Sequence, residues 1–269
     1  NELAEAQKSE QIKLGKSTNT KKIFFKNGEP LKKDDLLIQT DLANTLKLIA
    51  IYGSDGFYKG ETAQKIALDM SNNGGLITTE DLSGYYSKLR DPIIFNYKNL
   101  KIASMPPPSS GGLLLGLMLN MLENFDLSDD PNDVKNILII SEIMQIAFSL
   151  RAKHIGDEDF YPVPIENFLS EDIATELSKN VNTKRTSKNS EINNTNIIFK
   201  ENTTHFSIID KYGNAVSNTT TLNTGFGSGI VIKDTGILMN NEMDDFSSAP
   251  GVENYFSLLG SEANKIEPK

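Results

Sequence analysis

The sequence contains no cysteine. A disulfide framework, a thiolate zinc site and a cysteine nucleophile are therefore all excluded, and the redox compartment stays open. Histidine is nearly as scarce. His154 and His205 are the only two and lie far apart, which argues against a histidine-rich metal site; no metal and no cofactor is expected. No apolar run approaches the roughly 18 residues of a membrane-spanning helix. The opening residues, NELAEAQKSE, lack the apolar core of a signal peptide. Positive charge is also in short supply: 27 basic against 36 acidic side chains give a net charge of −9. An acidic surface attracts neither nucleic acid nor an anionic membrane. It suits a cationic or zwitterionic small molecule, and equally a solvated surface with no partner. Neither terminus carries a clear stop signal, so the chain reads as an excerpt of something longer.

What is present suffices for a folded protein. The 269 residues are 38% hydrophobic and 23% charged, enough for one large domain or two small ones. Residues 1–30 are polar and lysine-rich with one apolar patch, IFF. From Asp41, the positions Leu42, Leu46, Ile49 and Ala50 share a helical face that ends at Gly53. A second helix is expected over Glu61 to Met70, closed by SNNGG, and a third from TTEDL, capped by Thr78 or Thr79. PIIFNYKNLKIASMP reads as two short strands about an Asn-containing turn. PPPSSGGLLLGLMLNMLENF is a helix entry in which a serine can cap a broadly apolar helix. Val134 to Lys153 form a long apolar helix, and LSEDIATELSKNV a shorter one capped by Ser170. Asn182 to Asn196 is almost devoid of apolar residues and reads as a linker. Beyond it the period changes. HFSIIDKYGNAVSNTTTLN alternates and turns at DKYGN, as a β-hairpin does, with Phe206 and Ile208 on one face. GSGIVIKDTGILMNNEMDDFS suggests strand, turn and strand, ending in an acidic loop. The first two thirds are thus expected to be mostly helical and the last third mostly β.

The seam between linker and hairpin, ENTTHFSI, admits three readings. Asn202-Thr203-Thr204 fits a glycosylation sequon, as do Asn193-Asn194-Thr195 and Asn218-Thr219-Thr220; in a chain this rich in Asn and Thr such matches arise by chance. A plain strand entrance is the ordinary alternative. The third reading is chemical. If the chain were cut before Thr203, the hydroxyl would lie beside its own α-amino group, whose unperturbed pKa is near ~8. That amine can take the hydroxyl proton without any histidine. Elsewhere, Ser109, Ser110, Gly111 and Gly112 offer an anion site or, more simply, a helix cap. Asp157, Glu158 and Asp159 offer a metal site or, more simply, a turn. His205 reads as a structural hydrogen-bonder, and NNEMDDF as a solvated acidic loop, a calcium loop or an ammonium site.

TTHFSIIDKYGNAVSNTTTLNTGFGSGI followed by GILMNNEMDDFSSAPG resembles the γ-glutamyltranspeptidases, members of the N-terminal-nucleophile hydrolases. GEPLKKDDLLIQTDLANTLKLIA, DGFYKGETAQKIA, NNGGLITTEDLSGY, PPPSSGG and IGDEDF resemble the large subunit of that family in the same order, so the likeness runs from about Asn27 to the end. The resemblance implies an α+β fold, the αββα sandwich of that superfamily. It implies residues 1–181 as the C-terminal half of a large subunit, 182–202 as a linker before the processing site, and 203–269 as the start of a small subunit. It implies self-cleavage between Asn202 and Thr203. Thr203 then attacks the γ-carbonyl of a γ-glutamyl donor such as glutathione, and water or an amino acid or peptide amine takes the acyl group. Thr221 matches the hydroxyl that hydrogen-bonds the nucleophile. Asn223, Glu242 and Asp245 match the residues that hold the glutamate α-amino group. No nucleic acid or membrane span is implied, and the expected location is periplasmic or extracellular.

The chain also departs from the family pattern. The family's arginine for the substrate carboxylate, its Ser-Ser pair and its Gly-Gly oxyanion loop have no counterpart in these 269 residues. Loss of one oxyanion donor costs about 10²–10³ in rate, so the chain by itself is expected to be inactive or nearly so. Two alternatives follow: a related acylase that cleaves a β-lactam or glutaryl amide, and a non-catalytic fragment that only binds.

Overall fold

The computed structural model describes residues 2–185 and 203–267. The expected processing residue Asn202 and most of the expected linker lie outside the described residues. The fold is mixed α+β, in two compact units: Asn1–Ser87 with Ile198–Met243, and Lys88–Ile197 with Asp244–Lys269.

In chain order the first unit holds α1 (Glu2–Ser9), α2 (Gln11–Leu14), α3 (Thr18–Phe24), a short pair β1 (Phe25–Lys26) and β2 (Glu29–Pro30), α4 (Thr40–Tyr52), α5 (Asp55–Tyr58), α6 (Gly60–Asn73) and α7 (Thr79–Gly84). The second unit follows with the hairpin β3 (Ile93–Tyr97) and β4 (Leu100–Ser104), then α8 (Gly111–Leu122), α9 (Val134–His154), α10 (Ile165–Leu169) and α11 (Glu171–Ser178). The chain returns to the first unit in the hairpin β5 (Thr204–Ile209) and β6 (Ala215–Thr220). Each of these sheets has two antiparallel strands.

The second unit is built on α8. Leu113, Leu117 and Met121 are fully buried with Ile139, Ile143 and Ala147 of α9, Phe168 of α10 and Ala174 of α11. Gly116 lets two elements close on the helix: a Cβ there would sit 2.6 Å from the Leu169 side chain and 3.3 Å from the Phe95 ring. Two buried polar side chains of this core are paired with main-chain carbonyls, as burial favours. The Ser178 hydroxyl donates to the Ala174 carbonyl at 2.7 Å, and the Asn120 amide to the Leu169 carbonyl at 3.1 Å.

In the first unit, Ala63 and Ile66 of α6 pack on Leu82 of α7 and on Ile232. Leu14 and Phe24 pack on Val231. Gly74 ends α6 in the left-handed region at φ 75°, where a residue without Cβ carries no steric cost. Thr78 starts α7 with a full capping box closed by Asp81, as TTEDL suggests.

Four expectations need correction. Residues 1–30 look merely polar, yet they form three helices, because a few inward residues (Gln7, Leu14, Thr20, Phe24) supply the burial. On α4 the inward residue is Thr45 rather than Leu46, which is 55% exposed. Thr45 turns inward because its hydroxyl donates to the Thr235 carbonyl at 2.8 Å. Ser110 occupies the N-cap of α8 without a capping hydrogen bond from its side chain; its Oγ accepts from Arg151 Nε at 3.1 Å, while Ser109 Oγ accepts the Gly111 N–H at 3.3 Å. Finally, the last third is less β-rich than the alternation implies. The strand–turn–strand expected after Gly227 is reduced to a single bridge, Val231 with Leu238, and the acidic loop is a 3-10 turn, Glu242–Asp245.

The β5–β6 hairpin itself is as expected. Asp210 organises its turn by accepting from the Tyr212 and Asn214 N–H groups and the Asn214 amide, at 2.8–2.9 Å. Phe206 and Ile208 share a face, but every residue of both strands is exposed.

Candidate active site

Thr203 immediately precedes β5, and Thr221 immediately follows β6. Pairing of Thr204 with Thr220 therefore sets the two flanking threonines side by side. Their hydroxyl oxygens are 3.4 Å apart, Thr203 donating to Thr221. Because a hydroxyl rotates freely, either can serve as donor. Thr221 Oγ1 also accepts the Asn223 N–H at 2.8 Å, which fixes its position from the other side. Asn223 adopts φ 78°, a left-handed conformation that asparagine tolerates better than most residues.

The loop from Leu222 to Gly227 is laced to the strand-like segment that follows it. Asn241 is the anchor. Its N–H donates to the Leu222 carbonyl at 3.2 Å, its carbonyl accepts from the Asn223 amide at 3.1 Å, and its Oδ1 accepts both the N–H and the hydroxyl of Thr224. Gly227 sits at φ 53° with the Met239 carbonyl 2.3 Å from where a Cβ would be, so only glycine fits this approach. Glu242 is tied in next: its N–H donates to Asn240 Oδ1 at 3.0 Å.

Support also comes from the first helices. Lys13 donates to the carbonyls of Gly225 and Gly227. The Thr20 hydroxyl donates to the Gly229 carbonyl at 2.8 Å and accepts the Val231 N–H at 3.0 Å. Lys13 and Thr20 carry no sequence signal for this role, since each acts on backbone groups whose distance only the fold decides.

Of the candidate site residues, Thr203, Thr221, Asn223 and Glu242 lie in the first unit. Asp245 closes the same 3-10 turn as Glu242 and belongs to the second unit. There, burial pushes the Arg151 guanidinium below its ordinary pKa, and the Asp245 carboxylate works in the opposite direction. His205 is held by neighbours on the hairpin, with Nδ1 2.7 Å from Thr219 Oγ1 and Nε2 3.2 Å from Ser217 Oγ.

Asp157, Glu158 and Asp159 form a turn whose carboxylates converge on one guanidinium. Arg90 pairs with Asp157 at 3.1 Å, with Glu158, and with Asp159 at 3.0 Å, and Lys88 pairs with Asp159 at 3.2 Å. The Arg90 hydrogen bond, then that of Lys88, holds the Asp159 carboxyl below its ordinary value of 3.8. A depressed carboxylate pKa contributes stability above the unfolded value and loses it as pH falls through the folded one. R90Q is therefore expected to lower the melting temperature at neutral pH. The gap to the parent should shrink as pH drops below 3.8; thermal melts across the acid range measure it.

The family model for gamma-glutamyltranspeptidase matches residues 1–269. The chain is 45% identical over 253 residues to the glutathione hydrolase proenzyme of Escherichia coli K12, covering 93% of this chain and 44% of that protein. It is 37% identical to the glutathione hydrolase proenzyme of Bacillus subtilis 168, covering 94% of this chain and 46% of that one. The chain thus spans less than half the length of these relatives. Among solved structures, Helicobacter pylori gamma-glutamyltranspeptidase superposes with a TM-score of 0.68 at 39% identity, covering 71% of this chain and 56% of that one. A cephalosporin acylase from Bacillus halodurans superposes with a TM-score of 0.78 at 24% identity, covering 98% and 48%, a likeness of fold alone.

Proposed function

The chain belongs to the γ-glutamyltranspeptidase family, and on that premise we propose that it carries the nucleophile and the ammonium site of a γ-glutamyl transferase and hydrolase acting on glutathione and other γ-glutamyl amides. The observation that carries the reading is the pair of hydroxyls at the mouth of the hairpin, Thr203 and Thr221, 3.4 Å apart. In this reading, residues 1–181 and 182–202 belong to the large subunit and its trailing linker, 203–269 to the small subunit, and the precursor breaks its own Asn202–Thr203 bond. The product lies in the periplasm or outside the cell.

The chemistry follows from the new terminus. The α-amino group of Thr203, with a pKa near ~8, accepts the proton of its own hydroxyl. Oγ1 then attacks the γ-carbonyl carbon. The C–N bond breaks, the departing amine takes the proton, and a γ-glutamyl-threonine ester remains. Water or an amino acid or peptide amine attacks that ester, and the Thr203 hydroxyl is regenerated. Once Thr203 has given up its proton, the hydroxyl of Thr221 is the donor that faces the resulting oxygen. Its backbone anchor at Asn223 keeps it there.

Asn223, Glu242 and Asp245 receive the glutamate α-ammonium. That group has three N–H donors and one positive charge. An amide oxygen and two carboxylates answer both needs, and each charge-assisted bond is worth roughly 1.5–3 kcal/mol. An acylase for glutaryl or β-lactam amides, the alternative, has no use for two carboxylates at this position.

Two measurements on the full-length protein test the reading. N-terminal sequencing of the mature small subunit is expected to begin Thr203-Thr204-His205-Phe206; a protein that stays in one piece, or starts elsewhere, removes Thr203. Turnover of γ-glutamyl-p-nitroanilide is expected to exceed that of glutaryl-p-nitroanilide, and the reverse order would assign the acylase.

A further inference from the structure

The turn that bears Glu242 and Asp245 is four residues long, and none of its residues is buried as a whole. Such a turn has little stability of its own, so its geometry must be imposed by neighbours. At its Asp245 end the tie is unusual. The Asp245 carbonyl accepts two side-chain amides at once, from Asn254 Nδ2 at 2.9 Å and from Asn264 Nδ2 at 3.0 Å.

Asn254 does more than donate. Its Oδ1 accepts the N–H groups of Phe256 at 2.9 Å and Leu258 at 3.0 Å, and its own N–H donates to the Leu258 carbonyl at 3.0 Å. The Tyr255 N–H donates to the Asp244 carbonyl at 3.2 Å. The side-chain amide is thus engaged at both ends. A 180° flip would place Oδ1 against the Asp245 carbonyl and the NH2 against two N–H groups, so one orientation is enforced. Asn264 is itself anchored: its carbonyl accepts the Ser247 N–H at 3.0 Å and its N–H donates to the Ser261 carbonyl at 3.2 Å.

We propose that Asn254, assisted by Asn264, is the positioning residue of the ammonium site, holding Asp245 through its main chain so that the carboxylate meets the donor's α-amino group. The proposal rests on the reading of Asp245 given above. It assigns a purpose to two asparagines that touch no substrate. Their amides act on a backbone carbonyl, and the effect is felt at the side chain of the same residue. Displacement of a charge-assisted contact weakens ground-state and transition-state binding alike, so the signature is a raised KM with little change in kcat.

The test is N254D in the full-length protein. Aspartate is nearly isosteric and keeps acceptors for Phe256 and Leu258, but it replaces the donor to Asp245 with a carboxylate oxygen. The variant is expected to mature into two subunits as the parent does, and to show KM for γ-glutamyl-p-nitroanilide raised about tenfold with kcat within about twofold. N264D, which removes only the second donor, is expected to raise KM by a smaller factor. A matured N254D with the parent KM overturns the proposal. So does a fall confined to kcat, or failure of both variants to mature, since either would give these residues a role in folding or processing instead. Should matured D245A itself keep the parent KM, the assignment of Asp245 fails first, and the two failures are told apart.

Discussion

T203A is expected to leave the full-length protein as a single uncut polypeptide with no measurable turnover of γ-glutamyl-p-nitroanilide. One oxygen is used twice in the proposed chemistry. It first attacks the carbonyl of Asn202, and after that bond has broken it attacks the γ-carbonyl of the donor. Removing it therefore abolishes both events together. Loss of a nucleophile of this kind costs at least about 10⁴-fold in rate, beyond the range of a colorimetric assay. T203S keeps the hydroxyl and should retain slow cleavage and slow turnover. Denaturing gels and initial rates report both. A T203A protein that stays whole yet still releases p-nitroaniline would show that another group attacks the donor.

D245A is expected to lower kcat/KM for γ-glutamyl-p-nitroanilide by roughly 10- to 150-fold, which is the loss of one charge-assisted bond of about 1.5–3 kcal/mol. The loss should appear mostly in KM, because the ammonium is charged before and during the reaction and is bound equally in both states. A substrate without the α-amino group should be indifferent to the change. Steady-state kinetics on the matched pair of amides separates this outcome from a general loss of folding, in which both substrates suffer equally. The magnitude also ranks the site. D245A should exceed N254D, because the first removes the charge and the second only shifts it.

Much of the fold was legible because its signals are local. Ser170 caps α11 by accepting the Ile173 N–H, Thr78 and Asp81 close a capping box, and DKYGN makes the turn it spells. Each of these is a contact within four residues. The candidate nucleophile and its neighbour were legible through a resemblance of long ordered motifs, and the hairpin register places them side by side. What escaped notice depends on distant partners. Thr20 donates to a carbonyl 209 residues further on, and Thr45 to one 190 residues further on. No periodicity encodes such a pairing, so residues 1–30 read as merely polar, and Thr45 of α4 carries no signal of burial although Leu42 and Ile49 beside it are half-buried. Which of the two serines before α8 bonds its first N–H is decided in the same way: Arg151 donates to Ser110 from 41 residues away, and Ser109 accepts the Gly111 N–H.

The β5–β6 ribbon has one further consequence. Among the described residues it is a sheet of two strands, with both faces open and one unpaired edge on each strand. A ribbon of this kind is marginal on its own, whereas displacement chemistry needs its attacking atom held within about 0.5 Å. The oxygen of Thr203 therefore gains its aim only when more of the molecule has closed over the ribbon. In the proposed reading, scission before Thr203 is then the last act of assembly, and the cut would certify that the ribbon has been covered.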